Sequence, residues 1–432
     1  MIHPAISHRT ALLALAVMIA LCGHSNAQEQ TAATAQEPIG IARWDLERLS
    51  QDVPMRWVSQ SGPVHSLLYT SEPFQGQPSE VFAFFASPAT LGLAEPNAKF
   101  PGVVLIHGGG GTAFAEWAWL WAKRGYAAIA MDLSGCRPID PIYDEQGVPV
   151  ANQAAKRDTR TRLSNGGPEQ GHPQKFDCIG GDISDDWPYH AVASVIRAHT
   201  LLRSLPDVIK DRTAVTGISW GGYTTCLVAS VDHRFRAAVP VYGCGFLYEG
   251  ESVQKPSIDA LGDRRESWIA AYDPSSSLVD CKVPILFVNG TNDIHYPMDS
   301  YQKSFAVVPG EKQMRMEVNM RHSHPAGWAP KEIGLFIDSH CLDGEPLPKT
   351  GDVAVTEEIV RMPVHSKSPL TSAALNYTTD DGPRSKRKWE TIAATIGESE
   401  VTAAKPPTQA NTWFIEVIDH RGATVSSDIQ FQ

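Results

Sequence analysis

A hydroxyl is a poor nucleophile until a base takes its proton, and the base works best when a carboxylate orients it. The chain offers these groups in the order serine, acid, histidine. The serine lies in Gly217-Ile218-Ser219-Trp220-Gly221-Gly222, directly after a β-rich run at 213–216 and directly before a helical stretch. On a sharp strand-to-helix turn, small residues on either side make room for crowding backbone, and Gly217 and Gly221 provide it. The helix that follows aims its first N–H groups at the place where an oxyanion forms, so Trp220 N–H is the expected first donor. Further donors are expected from Gly109 and Gly110 in Ile106-His107-Gly108-Gly109-Gly110-Gly111, which ends an earlier apolar run. The acid is expected at Asp293, in Asn289-Gly290-Thr291-Asn292-Asp293, just past the run 284–288. For the base, Arg321-His322-Ser323-His324-Pro325 follows the last strand-like run, and counting from its end favours His324, with His322 the alternative. His295 reads as a cleft or packing residue. The chemistry is nucleophilic acyl transfer, which needs no metal and no organic cofactor.

Such groups converge only if the intervening chain alternates strand and helix. Two β-rich runs, 65–70 and 80–86, are separated by a Pro/Gly turn and read as a strand pair. Continuous apolar runs at 102–106 and 126–131 suit strands buried on both faces of a parallel sheet. The pattern continues with helix 187–204, strand 213–216, helix 221–230, strands 237–241 and 284–288, helix 298–307, strand 314–319 and helix 330–341. That is an α/β fold with a mostly parallel, doubly wound sheet. Residues 135–186 break the rhythm, being polar and rich in Gly and Pro, and long loops of this kind tend to be functional. Within or beside that loop, Trp187 and Tyr189 suit contact with a hydrated, extended substrate, or else the core of helix 187–204. Asp182, Asp185 and Asp186 read as helix caps in preference to a cation site. After a linker near 343–349, short β-runs at 353–360, 373–377, 389–394, 400–403, 413–418 and 424–430 point to an all-β immunoglobulin-like sandwich over 346–432.

Composition narrows the partners. With 37 Lys+Arg against 48 Asp+Glu the formal charge is −11, which disfavours phosphate backbones and anionic lipid surfaces. The basic run 384–388 reads as a solvated turn. Neither nucleic acid nor a membrane is therefore expected as a partner. Residues 1–27 read as a secretory signal, with Arg9 ahead of an apolar stretch at 11–21 and a small-residue site at Ser25-Asn26-Ala27, which implies export to a periplasmic or extracellular setting. The catalytic part then spans 28–345. Six cysteines follow the signal, and Cys136 and Cys178, which bracket the polar loop, are the pair best placed for a disulfide, while Cys226 and Cys244 read as core thiols.

On His107-Gly108-Gly109-Gly110-Gly111-Thr112, Gly217 to Gly222, Gly290 with Asp293, and His324, the chain resembles the α/β-hydrolase superfamily over residues 60–342. Within it the similarity is to exported acetylxylan esterases, dienelactone hydrolases and prolyl oligopeptidase-like proteins. The resemblance implies that the matching Ser219, Asp293 and His324 form a catalytic triad. It also implies a serine esterase acting on a small-molecule or polysaccharide ester, in the manner of an acetylxylan esterase. A serine peptidase is the alternative, made less expected because no β-propeller precedes the hydrolase part, and a non-catalytic carbohydrate-binding protein would need no triad.

Overall fold

The computed structural model describes residues 43–150 and 159–432; the signal reading for 1–27 lies outside the described residues. The strands that position the chemistry are β1 (Met55–Ser59), β2 (His65–Thr70), β3 (Glu80–Ala86), β4 (Phe100–Ile106), β5 (Ala127–Met131), β6 (Val208–Ile218), β7 (Ala237–Val241), β8 (Ile285–Gly290) and β9 (Lys312–Glu317). They lie in one sheet in the order β1-β2-β3-β5-β4-β6-β7-β8-β9. The first three pair antiparallel, and from β5 to β9 every pairing is parallel. Strands β4, β5, β7 and β8 are buried along their whole length, as their unbroken apolar runs require of a sheet covered on both faces. Strand β6 starts earlier than its apolar part, because residues 209–212 are partly exposed and carry the polar sequence Ile-Lys-Asp-Arg.

Helices Trp187–Ser204 and Trp220–Val231 pack on each other and on the central strands. Helices Ala115–Arg124 and Lys331–Cys341 are joined by Arg124 and Asp338, 2.5 Å apart. Register then brings the strand ends level: Ile106 pairs with Gly217, Ile218 with Val241, Val241 with Val288, and Gly290 with Glu317. In parallel strands these are all carboxyl ends, so the loops leaving β4, β6, β8 and β9 meet at one edge.

The described residues of the segment 135–186 hold little regular structure: a two-residue strand pair, Cys136–Arg137 with Thr161–Arg162, and the short turns Pro173–Asp177 and Ile183–Asp185. Trp187 and Tyr189 do not face a substrate. Both are buried, with Trp187 Nε1 donating to Leu133 O (2.7 Å) and Tyr189 Oη to Glu72 (2.8 Å). Asp182 accepts from Ser184 N–H and Asp185 from Gln75 N–H. Cys136 and Cys178 are free thiols, as are the other described cysteines.

Beyond Cys341 the larger sheet does not stop. Strand Thr424–Ser426 pairs with β9 through Met314 and Ser426, and the sheet runs on through Thr412–Asp419, Leu370–Thr378 and Glu390–Ala393. A second sheet holds Lys349–Thr350, Ile359–His365, Glu400–Ala404 and Thr395–Ile396. The run 353–360 is broken in two because Thr356 turns the chain, its N–H donating to Ile359 O and its hydroxyl accepting from Ile359 N–H. Met298, Met314 and Met316 form one buried apolar cluster with Phe414 and Ile429 of the C-terminal part. The basic run 384–388 is not wholly solvated, since Arg384 is buried against Asp299 at 2.9 Å.

Candidate active site

Ser219 follows β6 with φ 60° and ψ −118° and opens helix Trp220–Val231. A non-glycine residue held there is strained by roughly 1–3 kcal/mol, so its surroundings must impose the conformation. They do so by close backbone approach: a Cβ on Gly217 would lie 2.2 Å from Gly221 O, and one on Gly221 would lie 2.1 Å from Ile106 O. Ser219 N–H donates to Val241 O at 2.8 Å, tying the turn to β7.

Ser219 and Asp293 meet across His322, not His324. The Ser219 hydroxyl lies 3.0 Å from His322 Nε2, and His322 Nδ1 lies 2.5 Å from Asp293 Oδ2. The other Asp293 oxygen accepts from the N–H groups of His295 (2.8 Å) and Tyr296 (2.9 Å), so the carboxylate is aimed from both sides. This fixes the tautomer: Nδ1 donates to the carboxylate, leaving Nε2 to accept the serine proton. The His322 ring stacks on Tyr242 (centroids 4.5 Å apart), whose hydroxyl donates to Arg321 O at 2.6 Å. His295 packs on the other part of the same ring, 4.8 Å away between centroids.

His324 is displaced by a helix start. Ser323 caps the short helix His324–Trp328, its hydroxyl accepting from Ala326 N–H, so His324 is the first helical residue and its side chain turns toward the glycine loop. There its Nε2 accepts from Gly108 N–H at 2.9 Å, and its ring lies against Phe114. Burial, reinforced by His107 and His322, pushes its pKa down to about 3. The unfolded chain therefore takes up this proton first, so the stability contributed is complete above about pH 6.5 and is lost as pH falls toward 3. His324→Gln, which keeps an acceptor for Gly108, is expected to flatten the acid limb of a stability-against-pH curve by at most about 1.4 kcal/mol per pH unit. An unchanged limb would remove His324 as the titrating group.

His107 anchors the same loop. Its Nε2 accepts from Leu133 N–H (2.8 Å), leaving Nδ1 to donate to Gly108 O (2.7 Å). A Cβ on Gly108 would sit 3.0 Å from Ser219 Cβ, and one on Gly109 2.8 Å from the Trp220 ring. The loop thus lies directly over the serine, and any side chain would displace it. Among the described residues the Gly109 and Gly110 N–H groups have no hydrogen-bond partner. The first intrahelical bond is from Tyr223 N–H to Ser219 O, which leaves the Trp220 N–H free as well. Unpaired donors from two loops at one serine are the arrangement that stabilises a developing oxyanion.

Sequence reasoning also passed over Arg160, Arg162 and Gln170, which line a cleft beside Gly110. Their signal was present: Arg160 and Arg162 stand two apart at a short strand, a spacing that puts side chains on one face.

The chain matches the dienelactone hydrolase family over residues 89–321. No curated protein matches it in sequence. Among solved structures, the acetyl xylan esterase from Paenibacillus sp. R4 is 18% identical, with a TM-score of 0.50, covering 68% of this chain and 92% of that one. Acetyl xylan esterase 1 from Thermoanaerobacterium sp. JW/SL YS485 is 15% identical, with a TM-score of 0.48, covering 71% and 95%. Acylaminoacyl peptidase from Pyrococcus horikoshii is 16% identical, with a TM-score of 0.45, covering 68% and 44%. The strand order, the loops meeting at the carboxyl edge and a family match across more than half of the 432 residues agree: the chain belongs to the dienelactone hydrolase family and has the α/β-hydrolase fold.

Proposed function

We propose that this protein is an exported serine esterase that removes acyl groups from a carbohydrate. The observation that carries the reading is the continuous path from Ser219 Oγ through His322 to Asp293, under a loop of unpaired N–H groups. Ser219 Oγ attacks the ester carbonyl carbon while its proton passes to His322 Nε2. Trp220 N–H with those of Gly109 and Gly110 hold the oxyanion, each such donor supplying about 3–4 kcal/mol in the transition state. The carbonyl re-forms, the C–O bond to the alcohol breaks, and His322 returns the proton to the departing oxygen. Water then attacks the acyl-enzyme with His322 again as base, releasing the acid and restoring Ser219. Asp293 keeps the ring in place and stabilises its charge without taking the proton.

Three things support a sugar ester. The cleft next to Gly110 is lined by Ser134, Arg160, Arg162, Glu169 and Gln170; the solved structure at a TM-score of 0.50 is named for acetyl xylan; and residues 1–27 read as an export signal. The buried Trp187 and Tyr189 no longer contribute to this reading. A fluorophosphonate probe is expected to label Ser219 stoichiometrically, and Ser219→Ala to abolish both labelling and 4-nitrophenyl acetate turnover with little change in thermal unfolding. Undiminished turnover in that variant would end the proposal. Preference for aminoacyl amides over acetylated xylan would transfer the same triad to a peptidase.

A further inference from the structure

Gly110 is shared between the glycine loop and a neighbouring cleft of about 360 Å³, a volume in the range of small-ligand sites. The cleft is bounded by Gly110, Ser134, Arg160, Arg162, Glu169 and Gln170. Its two guanidinium groups are held by carbonyl oxygens, not by carboxylates. Arg160 donates to Gly111 O, and Arg162 donates to Ser134 O (2.8 Å), Gly166 O (3.0 Å) and Gly167 O (2.5 Å). Neither forms an ion pair among the described residues. These carbonyls, with the Ser134 hydroxyl 3.3 Å from Arg160, orient the two groups.

Gln170 adds an independent sign of a missing ligand. It is 6% exposed, and neither its amide oxygen nor its amide nitrogen has a partner. A buried amide unpaired at both ends is costly and uncommon in a folded protein. The Arg160 Nε is buried and unpaired as well. These residues line one cleft, and its Gly110 edge stands two residues from Gly108, whose added Cβ would reach Ser219 Cβ at 3.0 Å. Two peptide units span at most about 7.6 Å. A group bound here therefore belongs to the molecule whose ester faces Ser219, or to the next unit along it.

We propose that this cleft is a subsite for the carboxylate of an acidic sugar unit carried by the ester substrate, a deepening that rests on the esterase reading above. Arg160 and Arg162 at one cleft present positive charge to an incoming monoanion. A guanidinium fork accepts a planar carboxylate through paired hydrogen bonds. Gln170 and Ser134 both donate and accept, and Glu169 accepts, so the hydroxyls flanking a uronate carboxylate find partners that an aliphatic acyl chain would leave unpaired.

The test reads binding apart from turnover. Full-length Ser219→Ala protein is titrated calorimetrically with sodium glucuronate, glucose and glucose 6-sulfate. Glucuronate is expected to bind at least about 10-fold tighter than glucose, the scale of hydrogen bonds to a charged group. That preference should fall toward unity in Ser219→Ala/Gln170→Leu and in Ser219→Ala/Arg160→Met. Gln170 makes no hydrogen bond, so leucine should leave folding intact, and this variant decides the matter if the arginine change disturbs the loop. Equal binding of glucuronate and glucose, or an undiminished preference in Gln170→Leu, overturns the proposal; tighter binding of the sulfate overturns the carboxylate assignment. In the wild type, acetate release from acetylated polygalacturonate should exceed that from the same polymer with amidated carboxyls by about 10-fold in kcat/KM. Failure on every ester, including 4-nitrophenyl acetate, would instead count against the esterase reading while leaving the binding result to stand.

Discussion

His322→Ala is expected to lower kcat on 4-nitrophenyl acetate by on the order of 10⁴-fold or more, because a triad without its base loses nearly as much as one without its nucleophile. No other side chain replaces it. His295 lies against the same ring without a hydrogen bond to Ser219, and His324 Nε2 is occupied by Gly108 N–H. His324→Ala removes the acceptor that holds the glycine loop and should cost far less, about 10- to 100-fold, felt through a misplaced oxyanion donor. The two variants therefore separate base from loop anchor in a single assay. Comparable losses in kcat for both, with His322→Ala retaining turnover within tenfold of the wild type, would reverse the assignment.

Gly221→Ala has the largest expected effect on stability. The added Cβ would lie 2.1 Å from Ile106 O and 2.7 Å from His107 O, both backbone atoms of a strand end that cannot rotate away. Relief requires moving helix Trp220–Val231 off β4, so the loss is expected at several kcal/mol, in the tail reserved for overpacked cores. Insoluble expression, or a much lower midpoint in thermal unfolding, is the anticipated result. Gly110→Ala provides the contrast: nothing lies within 4 Å of its Cβ position, and only its φ of +72° opposes the change. A difference below about 1 kcal/mol between the two would show that the elbow is not set by backbone contact.

The sheet was legible because its strands are continuous apolar runs separated by helical periodicity, and helices such as Trp187–Ser204 and Met298–Val307 begin and end where that periodicity does. Ser219 and Asp293 were legible because each stands just past such a run, and a strand end fixes where its next residues point. The histidine was not, since the loop after β9 holds two of them and distance along the chain does not separate them. The cap does: Ser323 ahead of His-Pro starts a helix, which carries His324 away and leaves His322 in the loop. Trp187 and Tyr189 stayed open between substrate contact and the helix core, because an aromatic residue beside a polar loop carries no mark of which way it faces until helix Trp187–Ser204 is packed on its sheet, where both are buried. The arginines of the cleft showed only a two-apart spacing, and their carbonyl partners leave no trace in the sequence to say what that spacing serves.

The hydrogen-bonded continuity from β9 into Thr424–Ser426 makes the last eighty or so residues something other than a detachable accessory. Without them, Lys312–Glu317 would stay paired with β8 on one side and become a free sheet edge on the other, an adhesive margin of the kind on which chains stack into aggregates. The same strand leads within five residues to His322. The covering of the sheet edge and the placement of the proton-carrying ring thus hang on one strand.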